Sequence, residues 1–260
     1  MNAFPSDDRE EATPPKRDTA LSIGRGATPS VVVLASQSPR RRRLLCWLGL
    51  PFESTEVDTP EELDSPLAAD PAALAISLAA EKAAAARESG AASRAAAGGR
   101  AFVFCFDTIV VLDGRVLGKP VDSADARRML RALSGRTHQV VTGVALLAPG
   151  DMDPRTFAVT TDVEMRVLDD AAIETWMSRG TFLGCAGAYN IEADVAEVGL
   201  CDCYQNVAGL PLCHLYASLA GDPELRAWLP GEPEVPVAAC DAAVGRACEL
   251  GPRLVASARR

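Results

Sequence analysis

Two hydrophobic periodicities alternate along the chain and together predict a mixed α/β protein. Continuous apolar runs at 31–35 (VVVLA) and 101–106 (AFVFCF) are typical of buried strands. A helical pattern covers 38–48, and a longer one covers 71–90. The Ala-, Gly- and Ser-rich stretch 91–100 that follows is predicted to be a soft linker.

The second half of the chain continues this alternation. Asp113 and Gly114, between two β-branched runs, are the strongest short-range signal for a hairpin. Further predicted elements are a capped helix at 122–135, strands at 137–148 and 157–168, a helix at 169–180 that is capped by Asp and ended by Gly, and a helix at 209–221.

The pattern divides the chain into three segments. Residues 1–29 are polar, Pro-rich and without periodicity, which predicts a disordered leader. Residues 30–221 carry the alternating strands and helices of one α/β domain. Residues 222–260, with a "PGEPEVPV" spacer and a weak Ala/Cys helix, are predicted to be an appended C-terminal tail.

Composition narrows the class of protein. The 260 residues are 48% hydrophobic, and the net charge is −9 with an isoelectric point near 4.9. Such an acidic chain is a poor general binder of nucleic acid polymers or anionic membranes. The sequence has no apolar stretch of the roughly 18 residues that a membrane span needs and no signal-peptide pattern, so we expect a cytoplasmic protein.

Eight cysteines are spaced irregularly and include no C-x-x-C pair, so reduced thiols are expected. Cys201 and Cys203 with His214 fit no zinc spacing.

Four consecutive arginines, 40–43, stand at the start of the first predicted helix. Cations there are repelled by the exposed N–H groups and the macrodipole. A bound anion such as phosphate would remove the conflict, and the alternative is that the arginines are simply solvated. Because successive helical residues point about 100° apart, at most two can face one ligand, and Arg42 and Arg43 are expected at the surface.

Three further charged residues occupy unusual positions. Lys82 continues the apolar face of its helix at the i, i+4, i+8 spacing from Leu74 and Leu78. Asp107 follows AFVFCF at the mouth of a buried strand, and Lys119 stands between a Gly and a Pro after the hairpin. Taken singly, each has an ordinary alternative: Lys82 could reach solvent, Asp107 could cap a turn and Lys119 could be solvated.

Four ordered motifs carry a resemblance to a known family: "LASQSPRRRRLL", "FDTIVVLDGRVLGKPVDSADARRMLRALSGRTHQVVTGVAL", "GCAGAYNIEA" and "NVAGLPL". They resemble the Maf family of septum-formation-inhibitor-like nucleotide pyrophosphatases. The resemblance implies an α/β fold, a two-lobed mixed sheet with flanking helices around a deep central cleft. It also implies hydrolysis of nucleoside triphosphates to monophosphate and pyrophosphate, with Mg²⁺ or Mn²⁺ as cofactor.

The same resemblance assigns roles to residues. Asp107 matches the catalytic aspartate, which takes a proton from water or holds the metal. The substrate-binding residues that match are Ser36, Arg40, Arg41, Lys82, Lys119, Arg136 and Thr137, and His138 belongs to the same motif as the last two. A bound polyphosphate would explain why arginines begin a helix.

One segment departs from the family pattern, which has Asp-Glu after the second strand. Here Thr59 follows Asp58. Asp58, Glu61 or Glu62 would supply the missing acid, and we place the metal on Asp107 and Glu61.

The base is predicted from branch-specific motifs. "SPRR", "DTIV" and "SGRTH" are similar to the branch that hydrolyses dTTP and UTP, although Glu192 stands where that branch has Gln. A Gln amide both donates and accepts, as uracil requires, whereas an ionised Glu only accepts and suits the N1–H and N2–H₂ donors of guanine. We expect dTTP and UTP, with Glu192 near the base. The alternative substrate is 7-methyl-GTP, and the alternative position of Glu192 is toward the metal. The alternative function is a nucleotide-binding regulator of septation without hydrolysis. The sequence also leaves a homodimer open.

Overall fold

The computed structural model describes residues 30–97 and 99–258, whose strands form one mixed sheet. The strands are β1 (Ser30–Ala35), β2 (Phe52–Thr55), β3 (Arg100–Leu112), β4 (Arg115–Leu117), β5 (Thr137–Leu147), β6 (Arg155–Met165) and β7 (Ala196–Val198). Their order is β2-β1-β3-β5-β6-β7, with β4 paired to the far end of β3. β1 is parallel to β2 and β3, and the other pairs are antiparallel.

Helices flank this sheet, as the α/β prediction requires. They are α1 (Pro39–Leu45), α2 (Pro71–Glu88), α3 (Ala91–Ala95), α4 (Ser123–Leu133), α5 (Asp170–Met177), α6 (Tyr204–Val207), α7 (Leu212–Gly221), α8 (Pro223–Arg226), α9 (Val237–Val244) and α10 (Leu250–Ala258). Side-chain caps set several starts, because Ser38, Asp70, Asp122 and Asp169 each accept a hydrogen bond from a backbone N–H three residues on. None of the helices among the described residues is both long and apolar enough to cross a membrane.

The two faces of β3 pack against different parts of the molecule. Phe102, Phe104 and Phe106 are fully buried in the larger core cluster. Val103 and Cys105 alternate with them and pack with the alanines of α2 on the opposite face. Because side chains alternate along a strand, this period of two places the residue after Phe106 on the α2 face.

Several sequence predictions need correction. The linker expected at 91–100 contains the short helix α3, whose Ala91 and Ala92 are buried. The strand expected to reach 168 ends at Met165. Asp107 is not at the mouth of its strand, because β3 continues without a break to Leu112. The predicted leader, 1–29, lies outside the described residues.

The C-terminal segment lies on the domain. Leu225 and Val255 belong to the larger core cluster, and α10 packs against α7. The Glu234 N–H donates to the Leu48 carbonyl oxygen at 2.7 Å, and the Arg100 guanidinium lies 4.0 Å from the ring centre of Trp228. The part of the tail that the structure describes therefore shares the core of the domain that precedes it.

Candidate active site

Asp107 lies where one edge of β3 is left open. The pairing of β1 with β3 ends at Phe104, and the pairing of β4 begins at Val110. Between them, Asp107 is paired only on its other side, with Gly143 of β5. A carboxylate that is only 5% exposed therefore lies beside the turn that follows β1.

Helix α2 brings a cation to this carboxylate. Lys82, 13% exposed, bonds through Nζ to Asp107 Oδ1, and its Nζ lies 3.5 Å from Glu61 Oε1. The helix can lie this close to the sheet because Gly143 has no side chain: a Cβ there would be 2.0 Å from the carbonyl oxygen of Ala75. The predicted inward direction of Lys82 is confirmed.

Glu61 connects Lys82 to the loop after the hairpin. Its Oε1 accepts a hydrogen bond from Lys119 Nζ at 2.6 Å. Burial alone would raise the pKa of the Glu61 carboxyl, but the hydrogen bonds and charges of Lys119 and Lys82 together hold this pKa below its ordinary value. Of the three acids considered for the metal, Glu61 faces this cluster, whereas Asp58 and Glu62 are exposed.

Arg41 closes the other side of the cluster. Its Nε donates to the Gly209 carbonyl oxygen at 2.8 Å, and its second terminal nitrogen donates to Thr108 Oγ1 at 3.0 Å. The first terminal nitrogen lies 3.4 Å from the hydroxyl of the buried Ser36. Burial lowers the pKa of Arg41, while the charge of the nearby Asp107 opposes that shift.

A chain of two threonine hydroxyls and one buried amide supports Arg41. Thr108 Oγ1 lies 3.0 Å from Thr142 Oγ1, which donates to the backbone carbonyl of Asn206 at 3.1 Å. The Asn206 side chain donates to the carbonyls of Val140 and Val159, each at 3.0 Å. These supporting residues were not singled out from the sequence. The motifs "DTIV" and "NVAGLPL", which contain Thr108 and Asn206, were the signal that could have identified two of them.

Arg40 lies beside Arg41 and approaches the segment that follows α5. Its first terminal nitrogen lies 3.5 Å from Cys185 Sγ, and its buried Nε has no hydrogen-bond partner among the described residues. The structure thus brings together Ser36, Arg40, Arg41, Glu61, Lys82, Asp107 and Lys119.

The "SGRTH" motif is not part of this cluster. Arg136 is exposed and pairs with Asp113 of the hairpin at 2.6 Å. Thr137 lies six strand positions from Gly143, about 20 Å at the usual rise of a strand. His138 is buried, its Nε2 lies 2.7 Å from the Tyr189 hydroxyl, and burial lowers its pKa to about 4. His138 is therefore a core residue, and Arg136 and Thr137 lie outside the cluster around Asp107, so their contact with substrate stays a prediction.

Glu192 forms an ion pair with Arg43 of α1. Their side chains are 33% and 46% exposed, so Arg43 is at the surface as expected but does not lie free in solvent. The partner of the Glu192 carboxylate is thus Arg43, whereas Asp107 pairs with Lys82.

The donor set around Lys82 fits a divalent cation together with substrate. Asp107 and Glu61 both contact the ammonium group of Lys82, so the two carboxylates lie around a single positive charge. One or two carboxylates completed by substrate phosphates is the usual way to bind Mg²⁺. The described residues contain no cluster of three or more His, Cys, Asp or Glu able to hold a metal alone.

Cations from three separate segments converge with two acids at an open strand edge of a mixed α/β sheet. This arrangement is typical of α/β proteins that bind polyphosphate ligands. Comparison with known proteins agrees with this class. The sequence model of the family described as "Maf-like protein" matches residues 31–221, and the chain belongs to that family.

Individual relatives match about 70% of the chain. A "dTTP/UTP pyrophosphatase" of Moorella thermoacetica is 43% identical over an alignment of 187 positions that covers 70% of this chain and 90% of the relative. Proteins with the same name from Xanthomonas euvesicatoria and Chlorobaculum parvum are 42% and 38% identical, covering 70% and 69% of this chain and 93% and 88% of the relatives. The family resemblance predicted from the motifs is confirmed.

Proposed function

We propose that the chain is a nucleoside triphosphate pyrophosphatase that cleaves dTTP and UTP to the monophosphate and pyrophosphate. The observation that supports this most is the alternation of charges around Asp107, where Lys82, Glu61 and Lys119 are joined in one chain of ion pairs beside Arg41. The names of the relatives supply the reaction and the pyrimidine bases.

The roles of the residues follow from charge and position. Arg40 and Arg41 bind phosphate oxygens, Ser36 orients Arg41, and Lys119 contacts the leaving pyrophosphate from its more exposed position. Lys82 holds the carboxylate of Asp107 in place and meets the charge that develops on the α-phosphate. Asp107 accepts the proton of the attacking water at Oδ2 or, with Glu61, holds a divalent cation.

Mg²⁺ or Mn²⁺ held by Asp107 and Glu61 would neutralise phosphate charge and lower the pKa of water. With such a cation on the carboxylates, Lys82 and Lys119 would be available to contact phosphate oxygens. We also propose that the enzyme is located in the cytoplasm and that its binding partner is the nucleotide substrate.

The experiment is hydrolysis of a panel of triphosphates in ¹⁸O-labelled water with Mg²⁺ or Mn²⁺. Attack at the α-phosphorus predicts equimolar monophosphate and pyrophosphate, with the label in the monophosphate. Label in pyrophosphate would mean attack at the β-phosphorus and would contradict the proposed roles. Release of inorganic phosphate alone, or no turnover of any base, would reject the pyrophosphatase.

Glu192 favours a second candidate substrate, 7-methyl-GTP. A carboxylate accepts well from the adjacent N1–H and N2–H₂ donors of guanine. The same panel compares the two bases, and a kcat/KM for UTP below that for 7-methyl-GTP would select the second candidate.

A further inference from the structure

The ion pair of Arg43 and Glu192 lies next to the candidate active site. Arg40 and Arg43 are three residues apart on α1 and therefore share one face of the helix. Each contacts the segment after α5: Arg40 approaches Cys185, and Arg43 bonds to Glu192. The helix and this segment thus run side by side, with two contacts about one helical turn apart.

These two contacts have different chemical character. At the first, the buried Nε of Arg40 is unpartnered, and the neighbouring Arg41 contacts Ser36 and Thr108. The guanidinium groups of Arg40 and Arg41 are therefore suited to bind phosphate oxygens. At the second, a cation and an anion are already paired and half-exposed, so the charge of one cancels that of the other.

The pair changes what Glu192 can recognise. Oε1 of Glu192 is occupied by Arg43, and within the described part of the chain neither Oε2 nor the other N–H groups of Arg43 have a polar partner. A free carboxylate offers two acceptors, whereas the pair offers one donor beside one acceptor. Uracil presents the complement, the O4 acceptor beside the N3–H donor.

We infer that Arg43 is a specificity-determining residue that makes Glu192 equivalent to an amide toward a pyrimidine base. Arg43 donates to O4 while Glu192 Oε2 accepts from N3–H. The carboxylate loses the bidentate acceptor geometry that N1–H and N2–H₂ of guanine need. This inference rests on the proposed function for its substrate, but its recognition chemistry can be measured without turnover.

The test is a double-mutant cycle of Arg43→Ala and Glu192→Gln, with Arg42→Ala as the matched control on the same helix. The readouts are the ratio of kcat/KM for UTP over 7-methyl-GTP and the ratio of affinities for the monophosphate products UMP and 7-methyl-GMP. Circular dichroism confirms the fold of each variant.

Arg43→Ala is expected to lower both ratios by about tenfold, the usual size for one charge-assisted hydrogen bond. In the Glu192→Gln background the same substitution should change them less than about twofold, because Gln carries its own donor. Arg42→Ala should leave both ratios unchanged.

Equal effects of Arg43→Ala in both backgrounds, or no larger effect than Arg42→Ala, would overturn the inference. A wild-type protein that binds both products but hydrolyses nothing would reject the pyrophosphatase. The affinity ratios would still decide the role of Arg43.

Discussion

At the residue scale, the central feature is a buried carboxylate held by a largely buried ammonium. Asp107 and Lys82 are both largely shielded from water, and each is the closest opposite charge of the other. Removal of one partner of such a pair leaves an uncompensated buried charge, which costs more than the pair itself contributes. The pair should therefore be visible in stability as well as in activity.

Lys82→Met is expected to destabilise the fold by about 3 kcal/mol and to lower kcat/KM by at least about a hundredfold. Adding Asp107→Asn to that variant should recover most of the stability and none of the activity, since it removes the unpaired charge. Urea unfolding and pyrophosphate release measure the two effects. Additive losses of stability in the double variant would contradict a direct pair.

At the element scale, the site depends on how closely α2 approaches the sheet. Gly143 is opposite Asp107 in the register of β3 and β5, and the backbone of α2 passes over it at Ala75. A Cβ would meet a backbone carbonyl there, which cannot move away as the end of a flexible side chain could. The position of Lys82 is thus set by a glycine on β5, which is five elements further along the chain.

Gly143→Ala should displace α2, destabilise the protein by roughly 2 kcal/mol and raise KM for the nucleotide, because overpacking of a close contact forces a backbone shift. Gly184→Ala is the matched control, since a Cβ there meets nothing within 4 Å. Thermal unfolding and steady-state kinetics provide the readouts. Similar behaviour of the two variants would argue against close packing at Gly143.

The sequence predicted most elements, because periodicity, caps and the Asp-Gly turn are local signals. It also predicted that Lys82 faces inward, which depends only on helical spacing. It could not place Asp107 within β3, because where β1 stops pairing is a property of the sheet. Likewise, spacing alone could not separate Glu61 from Asp58 and Glu62, or show that Arg136 pairs with Asp113 instead of joining the site.

At the scale of the whole molecule, the buried His138 and the partly buried His214 couple folding to pH. Burial lowers the pKa of His138 to about 4 and also lowers that of His214. In the unfolded chain both histidines titrate near 6.5. The unfolded state therefore gains protons first as the pH falls, so stability is lost below pH 6.5, and the loss due to His138 is complete below about pH 4.

We expect the free energy of unfolding to fall by about 2 kcal/mol or more between pH 8 and pH 5. His138→Gln should remove much of this dependence, since Gln does not titrate, even if it lowers stability at pH 8. Urea unfolding at several pH values measures the slope. An unchanged slope in the variant would mean that His138 is not buried in its neutral form.

Pyrophosphate release from UTP by wild-type protein, Asp107→Asn and Asp113→Asn tests the central claim most directly. Asp113 is an exposed aspartate at a positive φ of 51°, which Asn tolerates, so its variant controls for the loss of one carboxylate. We predict that Asp107→Asn loses at least about a thousandfold in kcat while it still binds nucleotide, because a base or metal ligand acts mainly in the transition state. Asp113→Asn should keep wild-type turnover. Comparable turnover of Asp107→Asn and wild type would contradict a catalytic Asp107.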